Sequence, residues 1–131
     1  MSRLMSVSFT EQAVRERRKT VTRRKGWWED SRGRRILKPG DHLTLCRKVM
    51  GRKPGEPLER ICEVEVVSVR REPLADVIPL SDGGWMYAAA EMEREGFPGM
   101  HPQEFIQSFF ITAQGMTAFD EITRIEWRYL T

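Results

Sequence analysis

The chain has 131 residues, of which 40% are hydrophobic and 31% charged, a length and balance that fit one folded domain with a real core and exclude a disordered chain. No apolar run approaches a membrane span, no cationic-then-apolar leader opens the chain, and two cysteines are too few for a disulfide scaffold, so a reducing, cytoplasmic setting is expected. The net charge of +3 is split unevenly, with 17 Lys and Arg against 7 Asp and Glu in residues 1–60 and 5 against 12 in residues 61–131. A strongly positive face or cleft should follow, favouring a nucleic-acid or nucleotide partner. The competing expectation is that the acidic half folds back and neutralises the basic half.

In chain order, Met5–Phe9 alternates apolar and polar residues and predicts a short strand. Thr10 offers an N-cap with Glu11 in the first turn, and a helix should run to about Arg17. The run Arg17-Arg18-Lys19-Thr20-Val21-Thr22-Arg23-Arg24 follows, with five cations and two hydroxyls in eight residues, and reads as an extended edge. Gly26–Lys38 is a loop with Trp27, Trp28 and a second cationic cluster, Arg32, Arg34 and Arg35. Pro39-Gly40-Asp41 is a turn that launches a strand through Leu43, Leu45, Arg47 and Val49.

Leu58–Arg70 predicts a long strand with Cys62, Val64 and Val66 on one face. The apolar phase inverts at Val67 and Val69, which calls for a bulge near Val66-Val67. Pro73–Ile78 turns helical, Trp85 and Tyr87 fall in a loop able to form a lid, and Ala88–Glu95 is a helix stopped by Gly96. A helix opening at His101-Pro102 carries the stripe Phe105, Ile106, Phe109 and Phe110. Ile122–Leu130 is a strand with Ile125, Trp127 and Tyr129 inward and Arg124, Glu126 and Arg128 outward. These elements describe one α+β domain over residues 1–131, a curved sheet or small barrel capped by helices, with the first and last strands closing it.

A lysine crowded by Arg18, Arg23 and Arg24 is pushed toward the neutral amine. Near a threonine hydroxyl such an amine can take the proton and create a nucleophile, provided a carboxylate holds it. The plainer reading is that Lys19 and the arginines contact phosphates while Thr20 and Thr22 donate hydrogen bonds. Trp27 and Trp28 offer a stacking platform, with one expected in the core and one available. Cys46 and Cys62 have no accompanying ligand pattern, so no metal is expected and buried structural thiols are. His42 and His101 stand alone and are expected at the surface or at a cap. Glu91, Glu93 and Glu95 form a solvated helix face from which one could reach Lys19.

The ordered set Arg18-Lys19-Thr20-Val21-Thr22-Arg23-Arg24, Gly26-Trp27-Trp28, Leu37-Lys38-Pro39-Gly40-Asp41, Glu95-Gly96-Phe97-Pro98 and Thr123–Leu130 resembles the ASCH family of the PUA-like superfamily, in particular small actinobacterial and phage members. The resemblance implies a small PUA-like β-barrel with flanking helices and a cleft for RNA, nucleotides or modified nucleosides. One branch of that family removes the acetyl group from acetylcytidine. Its triad would fall on Lys19 as base, Thr22 as nucleophile and Glu95 as the orienting carboxylate, with Glu91 and Glu93 as alternatives. Arg23 stands where those hydrolases carry an aliphatic residue, and Glu29–Ile36 looks inserted.

Three readings follow. In the first, the domain binds RNA or a modified nucleoside, with DNA as a further partner. Lys19, Thr22, Arg23 and Arg24 form the pocket edge, Arg18, Arg34 and Arg35 attract at long range, and Trp27 or Trp28 stacks; binding then weakens steeply with salt. The second is an amidohydrolase on acylated cytidine. The third is a phage protein-interaction module whose basic face meets an acidic host protein. No cofactor is expected, and oligomeric state is not encoded in any pattern.

Overall fold

The structure is a computed structural model that describes residues 2–78 and 82–130. Five strands form one mixed sheet in the order β1-β3-β4-β5-β2. These are β1 (Arg3–Ser6), β2 (Val21–Arg24), β3 (His42–Cys46), β4 (Arg60–Pro73) and β5 (Glu121–Tyr129). Only β1 and β3 run parallel; the other pairs are antiparallel. Among the described residues, three α-helices complete the α+β fold: α1 (Glu11–Arg15), α2 (Asp82–Glu95) and α3 (Pro102–Ile106). α3 continues without a break into a π-helical turn, Gln107–Thr112.

The curl of the sheet comes from β4. Its pairing with β5 slips between Val66 and Ser68, where the apolar phase inverts. The extra residue, Val67, is 46% exposed while Val64 and Val66 are buried, the signature of a bulge that bends a strand. Ends and closure differ from expectation. β1 stops at Ser6 and gives way to a short turn of 3-10 helix at Ser8–Thr10. α1 ends at Arg15 because Arg17 adopts a left-handed φ of 61°, and the Thr10 side chain makes no capping bond. The last strand pairs with β4 and β2, not with β1, so β1 and β2 are the two edges. They are tied by a side chain: Arg24 Nη2 donates to the Ser6 carbonyl at 2.6 Å.

Two apolar clusters hold this frame. Inside the curl lie Met5, Val14, Leu37, Leu43, Leu45, Val64, Val66, Ile125 and Trp127. At the far end, Leu74, Val77, Met92, Phe105, Ile106, Phe110, Met116 and Ile122 pack the helices on the sheet. Each large side chain buried this completely contributes about 1.5–3 kcal/mol. Trp85 and Tyr87 lie in α2, not in a loop. The Gly83-Gly84 pair predicts a loop on propensity alone, but docking of the helix onto the sheet overrides it. His101 accepts from the Gln103 amide at 3.1 Å, capping α3. Cys46 is buried, whereas Cys62 is only half-buried because it lies toward the edge of the apolar cluster. Burial raises the pKa of both thiols, the opposite of a reactive cysteine.

Candidate functional site

Lys19 lies just before β2, where the chain is held on two sides. The Thr20 amide donates to the Arg94 carbonyl at the end of α2 (2.8 Å), and the Trp127 amide donates to the Thr20 carbonyl (2.9 Å). The Lys19 carbonyl accepts from Trp127 Nε1 at 3.0 Å and from the Tyr129 hydroxyl. Fixed in this way, the Lys19 side chain runs inward and is 2% exposed. Its ammonium donates to the Glu95 carbonyl at 2.6 Å and to Glu95 Oε1 at 3.2 Å, and it stands 5.9 Å from the centre of the Trp127 ring. Loss of hydration pushes its pKa down to about 8; Glu95 opposes that shift, and Arg24 and Arg23 add to it.

Glu95 reaches Lys19 because α2 is pinned to the sheet by charge. Arg23 on β2 and Arg124 on β5 are directly opposite in the register, a like-charge pairing that alone is unfavourable. Glu91 resolves it. Its Oε1 accepts from Arg23 Nη2 in a short contact and from Arg124 Nε at 2.6 Å, while Oε2 accepts from Arg124 Nη2 at 3.0 Å and Arg94 Nη1 at 2.8 Å. Arg23 also donates to Glu72 Oε1 from Nη2 at 2.9 Å and to Glu95 Oε2 from Nη1 at 2.9 Å. Tyr87 donates to Glu72 Oε2 at 2.6 Å, and burial with the neighbouring carboxylate pushes that phenol up to about 12. Among the described residues, no buried side-chain nitrogen or oxygen lacks a partner, so the network is fully satisfied. Arg124, expected to face outward, is 4% exposed because α2 covers this face of β5.

Lys19, Thr22, Arg23, Arg24 and Glu95 line one cleft of about 780 Å³. Much of the rest of its lining is aromatic. Trp27 enters from the loop after β2, with a left-handed φ of 68°. Phe97, Phe105 and Phe109 form a cluster with ring centres 5.1–5.8 Å apart. Phe9 caps it edge-on at 5.6 Å from Phe109 and is itself 81% exposed. The π-helical turn contributes Ser108, Phe109 and Phe110, so an irregular helical segment forms part of the wall. Thr22 Oγ1 accepts from Arg24 Nε at 3.2 Å. That bond orients the oxygen and leaves its own proton available for donation.

The remaining residues singled out in the sequence lie elsewhere. Arg18 is exposed on Glu16 at 2.6 Å, and Arg34 on Asp30 at 3.0 Å. The Arg35 guanidinium stacks 3.2 Å above the Trp28 ring, with Arg71 at 5.9 Å. Neither tryptophan is fully buried: Trp27 packs partly on the core and lines the cleft, while Trp28 is half-buried beneath Arg35. Thr20 acts through its backbone. Of the three glutamates, Glu91 is taken by the arginines, Glu93 is exposed, and Glu95 lines the cleft. Among the described residues no His, Cys, Asp and Glu cluster is arranged to hold a metal ion, and no helix is long and apolar enough to cross a membrane.

Glu72 and Arg124 escape sequence reasoning, as do the role of Tyr87 as a carboxylate partner and the use of the phenylalanine stripe in the cleft lining. One signal for Tyr87 was present: Tyr87, Glu91 and Glu95 are successively four apart and share a helix face.

A solved structure places the fold among known ones. The crystal structure of EF3133 from Enterococcus faecalis V583, described under the family model DUF984, matches with a TM-score of 0.66 over 99% of this chain and 80% of that one, at 12% identity. The two proteins share a fold. It is α+β and consistent with a small PUA-like barrel. No family model matches the sequence, and no curated protein does.

Proposed function

We propose that the cleft binds a single nucleoside or nucleotide, with the base against the aromatic lining and its polar edge on Lys19, Thr22, Arg24 and Glu95. The observation that carries this reading is the presence of aromatic residues and charged residues in the lining of one cleft of about 780 Å³, within the range of about 300–1,000 Å³ usual for small-ligand sites. A planar heterocycle gains from both: stacking is worth about 1–3 kcal/mol per base, and the polar edge supplies donors and an acceptor. The same ordered residues and the shared fold support placing the chain in the ASCH branch of the PUA-like superfamily. Titration of the intrinsic fluorescence of the four tryptophans with cytidine, acetylcytidine, uridine and adenosine, with Trp27→Phe assigning the Trp27 share, tests the proposal. Saturable quenching that Phe109→Ala weakens at least tenfold is expected; absence of quenching by any of them at millimolar concentration overturns it.

A second reading, hydrolysis of an acylated cytidine, is favoured by one further observation: the Lys19 amine, with its pKa lowered to about 8, shares the cleft with Thr22. In that reaction the neutral amine of Lys19 takes the Thr22 hydroxyl proton, and Oγ1 attacks the acyl carbonyl. The C–N bond breaks, the leaving amine takes the proton back from Lys19, and water then hydrolyses the threonyl ester to release the acid. Arg24, donating to Thr22 Oγ1 at 3.2 Å, orients the attacking oxygen. Lys19→Ala and Thr22→Ala should abolish acetate release while binding falls less than tenfold. Failure of the wild-type protein to deacetylate acetylcytidine at high enzyme concentration removes this reading and leaves the binding proposal standing.

A further inference from the structure

Arg23 is the most heavily paired cation of β2. It lies on the strand beside Thr22, its side chain is fully buried, and its guanidinium contacts three carboxylates from two elements: Glu72 on β4, and Glu91 and Glu95 on α2. Burying such a network gains little stability over apolar packing, since desolvation offsets most of the attraction. Its geometry, however, does something apolar packing does not. Glu91 and Glu95 are one turn apart, so the arginine that fixes the first also fixes the rotation of the helix that carries the second. The Glu95 carboxylate is then divided, with Oε2 on Arg23 at 2.9 Å and Oε1 on Lys19 at 3.2 Å.

We propose that Arg23 is a positioning residue that holds Glu95 between two cations and thereby sets the proton affinity of the Lys19 amine in the cleft. Without Arg23, the whole carboxylate charge would turn to Lys19 and lock it as an ammonium. With it, half of that carboxylate is engaged elsewhere and a second positive charge stands near the amine. Both effects favour loss of the Lys19 proton. The groups that face Lys19 are Glu95 from α2, Arg23 and Arg24 from β2, and the Trp127 ring from β5, with the Tyr129 hydroxyl on its carbonyl. Those that face Arg23 are Glu72, Tyr87, Glu91 and Glu95, with Arg124 alongside. Any catalytic use of that amine rests on the hydrolytic reading above; the control of its charge does not.

The test reads the amine itself. The Lys19 side-chain NMR signal, assigned by its loss in Lys19→Arg, is followed with pH in the folded protein. In Arg23→Gln the titration midpoint should rise by at least about one unit. The double variant Arg23→Gln/Glu72→Gln keeps the buried network neutral and should show the same rise, which covers a failure of the single variant to fold. Arg124→Gln disturbs the same network without touching Glu95 and should leave the midpoint within a few tenths of a unit. An unchanged midpoint in either Arg23 variant, an equal shift in Arg124→Gln, or failure of both Arg23 variants to fold would overturn the proposal. None of these results depends on whether the cleft binds or hydrolyses a nucleoside.

Discussion

Lys19 is the residue whose chemistry is most altered by the fold. Burial costs the ammonium its hydration, and Glu95 returns only part of that loss. The folded-state pKa, about 8, lies below the ordinary lysine value of 10.5. Between those values the unfolded chain binds the proton more tightly than the folded one, so the Lys19 contribution to stability grows as pH increases from 8 toward 10.5. Cys46, Cys62, Tyr87 and Tyr129, whose pKa values burial raises, contribute in the opposite sense over the same interval. Chemical denaturation at pH 8 and pH 10 should therefore show a change in stability that is more positive in the wild type than in Lys19→Met, by about 1–3 kcal/mol. The same pH dependence in both proteins would show that the amine is solvated. Glu95→Gln should act in the opposite sense to Arg23→Gln: with the carboxylate gone, the Lys19 midpoint drops below 8. The same change leaves two buried cations short of an anion, for which a loss of about 3–5 kcal/mol is expected.

At the scale of elements, α2 is a lever. Its first turns are held by Tyr87, its middle by Glu91, and its last residue presents Glu95 to the cleft. The stop that follows is equally constrained. Gly96 has φ +95°, and an added Cβ would stand 3.0 Å from Ala13 Cβ and 3.2 Å from Thr10 Cγ2. Gly96→Ala therefore combines left-handed strain with a clash against α1. A loss of about 1–3 kcal/mol in thermal unfolding is expected, with weaker ligand binding because Glu95 is the adjacent residue. An unshifted melting temperature would mean that the helix end tolerates the methyl group.

Much of this scale is written locally. The β4 bulge is legible from the inverted alternation at Val67, the stop at Gly96 from turn chemistry, and the helix over Phe105–Phe110 from its spacing. Arg124 was not legible, because alternation along β5 shows only which residues share a face. Which layer covers that face is decided by α2, 29 or more residues earlier in the sequence. The N-terminal half of α2 was missed for the same reason: its contacts to β2 and β4 outweigh two glycines. The partner of Lys19 was narrowed to three glutamates on one helix, and only the rotation imposed by Arg23 and Arg124 distinguishes them.

At the scale of the molecule, part of the unequal charge of the two halves is resolved in the interior. Glu72, Glu91 and Glu95 from the acidic half meet Lys19, Arg23 and Arg124, so two of the cations in the densest basic run are compensated before any ligand arrives. Arg17 and Arg18 are exposed and do not line the cleft, and Arg24 is tied to Ser6. Of the lysines and arginines that line it, Lys25 is the exposed one. This changes what salt should do. A single strand held by all the cations of the basic run and its neighbours, six of them, would show a slope of about −4 in a plot of log affinity against log salt. A strand held at the cleft, with Arg24 and Lys25 as the charges near its phosphates, should show about −1 to −2. Measuring the affinity of an eight-nucleotide single strand at several salt concentrations, with and without Lys25→Ala, decides between them. A shallow slope that Lys25→Ala reduces further places the strand end in the cleft. A slope near −4 that Lys25→Ala leaves intact would move polynucleotide binding to the outer surface around Arg18, Arg32 and Arg34, and confine the cleft to free nucleosides.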